Sequence, residues 1–102
     1  VHKYIAVAHQ LMAKVCIATG DLAAADQHFD AALAELEKYP APLVTWKVHA
    51  GRAQLKRQMG DAGEAQKAST RASEIVNHIA SNVSDEKLRN TFLNATRNII
   101  SV

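Results

Sequence analysis

This 102-residue chain cannot form an intrachain disulfide, because it has a single cysteine, Cys16. The place of Cys16 among apolar residues at helical spacing predicts a buried thiol, which fits a reducing compartment. No apolar run approaches the roughly 18 residues that a membrane-spanning helix needs. We therefore expect a cytoplasmic protein with no membrane contact.

Catalytic and ligand-binding signatures are missing as well. The chain has no Gly-x-Ser-x-Gly nucleophile elbow, and no lysine follows the glycines at 60 and 63 in the position that a phosphate-binding loop requires. The five histidines are scattered, and His2 and His9 lie two helical turns apart, roughly 10 Å along a helix axis. Glu74 and His78 form the nearest approach to a metal half-site. We expect no catalytic residue, no cofactor and no metal ion.

The charge of the chain is weak overall but unevenly distributed. A net charge of +2 is too small to indicate a nucleic-acid-binding protein by itself. Residues 21–38 contain five acids and one base, whereas residues 43–59 contain four bases and no acid. The basic segment is therefore the first candidate for a contact surface.

Apolar residues recur every three or four positions almost throughout, which predicts an all-α chain of about five helices. A repeated glycine-aspartate pair, Gly20-Asp21 and Gly60-Asp61, ends one helix and caps the next. We predict one hairpin over residues 1–39, a second over 41–82, and a covering helix over 84–102. Because the helical pattern is already running at Val1, we expect the chain to be part of a longer protein, with a further repeat upstream.

The spacing of apolar residues also predicts which face of each helix is buried. The inward face of the first helix is predicted to hold Ile5, Ala8, Met12, Val15, Cys16 and Thr19. The fifth is predicted to bury Leu88, Phe92, Ala95, Thr96 and Ile99, joined by Leu93 and Ile100. The third helix has two apolar sides, and Trp46 lies on one of them, which favours packing between hairpins over a role as partner anchor.

The first repeat resembles the tetratricopeptide pattern in five positions, which are Gly20, Ala25, Phe29, Ala32 and Pro40. The second repeat keeps Gly60, Ala65 and Ala72 but has Ser69 in place of the aromatic residue. The glycines lie 40 residues apart, against a usual period of about 34. The resemblance implies antiparallel helical hairpins stacked into an array that binds protein partners.

A narrower resemblance covers residues 42–47, 60–65, 75–76 and 85–93. These segments are similar to the C-terminal helical repeats of large bacterial signalling proteins, which join a cyclase, kinase or DNA-binding module to an ATPase domain. The resemblance implies that this chain is the terminal scaffold segment of such a signal-transduction or transcriptional regulator. None of the catalytic motifs of those proteins is present here.

In tetratricopeptide arrays the first helix of each hairpin lines the concave surface, so we predict a mildly basic concavity for an acidic peptide, a protein or another domain of the parent. The predicted contact residues are Lys14, Lys47, His49, Arg52 and Lys56. Alternatively, these charged side chains are solvated, or they form ion pairs with the acidic second helix. Two other functions remain open: a structural segment that oligomerises through the first helix, and, more remotely, a basic helix that contacts nucleic acid.

Overall fold

The computed structural model describes residues 1–101 and is built from five α-helices. They are α1 (His2–Ala18), α2 (Leu22–Lys38), α3 (Pro42–Gln58), α4 (Ala62–Ser81) and α5 (Glu86–Ser101). α1 pairs with α2 and α3 pairs with α4, while α5 lies against α4 and α3. Residues 1–101 contain no β-strand. The predicted all-α fold of two helical hairpins and a covering helix is confirmed.

Both hairpins turn in the same way. Gly20 and Gly60 have φ angles of +85° and +80°, a left-handed conformation that glycine adopts without a Cβ clash. An aspartate follows each glycine and caps the next helix. Asp21 Oδ1 accepts a hydrogen bond from the backbone N–H of Ala24, and Asp61 Oδ1 accepts one from that of Glu64, both at 3.1 Å. The repeated glycine-aspartate pair therefore ends one helix and begins the next, as the sequence predicts.

The core consists of two clusters that share α3. The first joins α1, α2 and α3 through Ala6, Ala13, Ala25, Phe29, Ala32, Leu36, Val44, Val48 and Leu55. The second joins α3, α4 and α5 through Trp46, Ala50, Ala72, Ile75, Val76 and Ile100. Trp46 is only 4% exposed, so its predicted burial is confirmed, but it packs against α4 and α5 and not between the two hairpins. α3 is therefore the helix through which the two halves of the molecule are coupled.

The predicted inward face of α1 is wrong for five of its six residues, and the sixth, Cys16, is half-buried against the first cluster. Met12 and Val15 are 47% and 54% exposed, and Ile5 is 40% exposed. The buried residues of α1 are Ala6, Gln10 and Ala13. Small side chains let α2 and α3 approach the α1 backbone closely, so α1 packs through Ala6 and Ala13. Val7, Cys16 and Ile17 are half-buried against the same cluster, and the larger apolar residues of the opposite face are exposed.

The predicted face of α5 is correct only in part. Thr96 and Ile100 are buried, and Phe92 and Leu93 are half-buried against α4. The prediction also placed Leu88, Ala95 and Ile99 inward, and all three are exposed. α5 therefore contacts the rest of the molecule through only one side of its predicted apolar face, and the other side is exposed. Among residues 1–101, no helix is both long enough and apolar enough to cross a lipid bilayer.

Candidate functional site

A groove of about 290 Å³ runs between α1, α3 and α5 on the side of the molecule where the first helices of the two hairpins lie together. It is lined by Gln10, Lys14, Trp46, Lys47, Ala50, Gly51, Gln54 and Ile99. No acidic residue is among them. The groove thus combines an apolar floor with two cationic side chains and two amide side chains.

The two lysines give the groove its charge. Lys14 belongs to α1 and Lys47 to α3, and both are exposed. Neither forms an ion pair within the described part of the chain. The Lys47 Nζ lies 5.9 Å from the centroid of the Trp46 ring, within the range of a cation–π contact. The positive charge of both side chains is therefore available to a bound anion.

The floor of the groove depends on one close approach. A Cβ on Gly51 would lie 2.8 Å from Cζ of Phe29, the buried aromatic ring of α2. Glycine at this position lets the backbone of α3 rest on that ring. Gly51 and its neighbour Ala50 both line the groove, and neither places a large side chain there.

Lys56, another predicted contact residue, lies on a different side of α3. Its Nζ is 3.1 Å from Oδ2 of Asp26 on α2, and only 11% of its side chain is exposed. This ion pair joins the basic helix α3 to the acidic helix α2. Lys56 therefore contributes to the packing of α2 on α3 and does not line the groove.

His49 and Arg52 also lie away from the groove. Burial, together with the charges of Arg71 and Arg52, lowers the pKa of His49 from 6.5 to about 4. The imidazole is therefore neutral at physiological pH. His49 Nδ1 and Arg52 Nε are buried and have no hydrogen-bond partner among the described residues. Of the five predicted contact residues, the structure brings Lys14 and Lys47 together and places the other three elsewhere.

No protein-family model, no curated protein and no solved structure matches this chain. The interpretation of the groove therefore depends on its own geometry and charge.

A second, larger cleft was not predicted from the sequence. It encloses about 470 Å³ between the inter-hairpin linker and α4, and its walls include Pro40, Pro42 and Ile75. Glu74 and His78 lie along it, but Arg71 Nη1 is 3.6 Å from Glu74 Oε2. Within residues 1–101, no three His, Cys, Asp or Glu side chains are grouped so as to hold a metal ion. The two prolines that bound the linker were the only sequence signal for this cleft.

Histidines connect α1 to α2 in a way that the sequence did not reveal. The Nδ1 atoms of His9 and His28 are 3.0 Å apart, a hydrogen bond that requires one of the two to carry the proton. His2 Nδ1 lies 2.8 Å from Oε1 of Glu35, and its ring stacks on Tyr39 with 3.5 Å between centroids. These contacts align the first hairpin and lie outside the groove.

Proposed function

We propose that this chain is a non-catalytic protein-interaction module that binds acidic peptide segments in the groove between α1, α3 and α5. The observation that carries the proposal is the pairing of Lys14 and Lys47, from two different helices, in a groove without an acidic residue. A carboxylate side chain placed there gains favourable charge interactions and meets no like charge.

The rest of the groove suits a peptide chain. Gln54 offers an exposed amide group that can donate to and accept from a peptide backbone, and Gln10, although only 6% exposed, lines the same groove. Ala50 and Ile99 offer apolar surface for a side chain next to the acidic one. Because the lining comes from packed helices, binding orders few new residues and the entropic cost is small.

The wider role that we propose follows from the two resemblances. A tetratricopeptide-like array is a scaffold for protein partners, and segments of this chain resemble the end of large bacterial signalling regulators. We propose that the chain is the terminal module of such a cytoplasmic signalling or transcriptional regulator. Its acidic ligand would then be a segment of a partner protein or another domain of the parent.

Peptide binding tests the proposal directly. A short fluorescein-labelled peptide of alternating glutamate and leucine is titrated with the protein, and its fluorescence anisotropy is compared with that of a matched lysine-leucine peptide. We expect the acidic peptide to bind at least about tenfold more tightly, and its affinity to fall as salt is raised. Lys14→Glu combined with Lys47→Glu should remove this preference.

A matched control separates the groove from net charge. Lys67 and Lys87 are exposed and lie outside the groove, so their combined reversal to glutamate changes the total charge by the same amount. The control should bind the acidic peptide as the parent chain does. If both double variants lose binding equally, or neither does, the groove is not the peptide site.

A further inference from the structure

Of the eleven large apolar side chains exposed in the described part of the chain, five lie on the outward face of α1 and a sixth, Val1, immediately precedes that helix. The exposed residues on this face are Tyr4, Ile5, Ala8, Leu11, Met12 and Val15, with Val1 at the start of the helix. Leu11 and Val15 are each 54% exposed and Tyr4 is 70% exposed. Single exposed apolar residues are ordinary, but a continuous stripe along one helix marks an interaction surface.

The internal repeat shows what such a stripe does elsewhere in this molecule. Gly20 and Gly60 begin equivalent turns, so an offset of 40 residues aligns α1 with α3. This alignment matches Tyr4, Ala8, Leu11 and Val15 of α1 with Val44, Val48, Gly51 and Leu55 of α3.

The four matched positions on α3 are the ones that pack against the preceding hairpin. Val48 and Leu55 are fully buried, and Val44 is 7% exposed, in the cluster that α3 shares with α1 and α2. Gly51 rests on the ring of Phe29 from α2. On α3 this face is covered by α2. The equivalent face of α1 has no helix packed against it within the described residues.

The charges beside the α1 stripe define what can cover it. α1 contains no acidic residue, and its charged side chains are Lys3 and Lys14. The Lys3 Nζ lies 5.6 Å from the ring centroid of Tyr4, at the edge of the stripe. At the 40-residue offset these two lysines match Leu43 and Gln54 of α3, so the basic edge is a feature of α1 alone.

A second copy of this chain fits the stripe poorly. Two α1 faces brought together would place lysines beside lysines, with no acid of α1 to offset them. Addition of copies end to end would need an open face on the second hairpin, but α5 covers that hairpin through Ile100 against Trp46 and Val76. Charge and packing both point to a different partner.

We infer that the outward face of α1 binds an amphipathic helix with acidic edges, in the position that α2 takes on α3. The ligand helix has a small residue where α2 has Phe29, because Leu11 fills the space that Gly51 leaves open on α3. Lys14 borders both this surface and the groove, but the stripe residues themselves, including Leu11 and Val15, do not line the groove. The inference therefore does not rest on the proposed peptide site.

The test uses the full chain and two fluorescein-labelled helical peptides. Both carry leucine and alanine at heptad spacing, one with glutamate and one with lysine at the flanking positions. We expect the glutamate peptide to bind at least about tenfold more tightly. Leu11→Glu should abolish that binding, and Leu88→Glu, at a leucine of similar exposure on α5, should leave it unchanged.

Three results would overturn the inference. Equal binding of the two peptides would remove the role of the basic edge, and binding that survives both Leu11→Glu and Val15→Glu would place the site elsewhere. Far-UV circular dichroism checks that these variants fold, which the exposure of both side chains leads us to expect. Finally, a dimer in sedimentation velocity that Leu11→Glu dissociates would assign the face to a second copy.

Discussion

Gly51 and Phe29 set the distance between the two hairpins. Because a Cβ at residue 51 would lie 2.8 Å from the Phe29 ring, Gly51→Ala forces α3 away from α2 or tilts the ring. We expect this substitution to lower the free energy of unfolding by about 1–3 kcal/mol, as overpacking of a core does. Urea denaturation followed by circular dichroism measures the change.

Gly63→Ala provides the matched control for that substitution. Gly63 is also helical, but the nearest atom to an added Cβ is an exposed aspartate oxygen at 3.8 Å. Alanine there should be neutral or stabilising by up to about 1 kcal/mol, because it removes backbone freedom from the unfolded chain. Phe29→Leu combined with Gly51→Ala should recover part of the loss. Equal effects of the two single substitutions would contradict the close contact.

His49 makes the stability of the fold depend on pH. Its folded-state pKa of about 4 lies below the ordinary value of 6.5, so between these values the unfolded chain binds a proton that the folded chain does not. Stability is therefore complete above about pH 6.5 and falls as the pH drops towards 4. The slope is at most about 1.4 kcal/mol per pH unit, and less because His49 is partly exposed.

The variant His49→Gln should flatten this dependence. Urea midpoints measured at several pH values between 7 and 4 would show a smaller decline for the variant than for the parent chain. His78→Gln, at an exposed histidine of α4, serves as the control and should retain the full decline. If the urea midpoints of all three proteins decline in parallel, protonation of His49 does not lower the free energy of unfolding.

At the scale of the helix, the ends were predictable because their chemistry is local. Asp61 Oδ1 accepts from the backbone N–H of Glu64 at 3.1 Å. Asp61→Ala leaves that donor without its side-chain acceptor and should cost about 1 kcal/mol, whereas Asp61→Asn, which keeps the acceptor, should cost little. Thermal unfolding of the two variants checks this, and equal losses would show that the cap is not what stabilises α4.

The faces of the helices were less predictable, because a periodic stripe shows amphipathicity and not which neighbour covers it. The stripe of α1 is as regular as that of α3, yet Met12 is exposed and Val48 is buried. The basic residues of α3 show the same limit. Lys47 and Lys56 share one helix, but only the fold shows that Asp26 of α2 lies beside Lys56 and that Lys47 faces the groove.

At the scale of the whole molecule, each helix packs on helices that are near to it in the chain. The stability of each helix therefore depends on those neighbours. Among the described residues, α1 and α2 pack on α3, and α3 and α4 pack on α5. The second cluster, which contains the single tryptophan, therefore depends on α5. Trp46 fluorescence should report the docking of α5.

Two adjacent isoleucines of α5 separate its structural role from its role in binding. Ile100 is 7% exposed and packs in the cluster of Trp46, whereas Ile99 is 56% exposed and lines the groove. Ile100→Ala should cost about 2–4 kcal/mol and shift Trp46 emission to longer wavelength, because the cavity loosens the helix over the indole. Ile99→Ala should leave stability within about 0.5 kcal/mol but weaken binding of the acidic peptide. If Ile99→Ala destabilises the fold as much as Ile100→Ala does, α5 is docked in a different rotation, and Ile99 cannot serve as a wall of the groove.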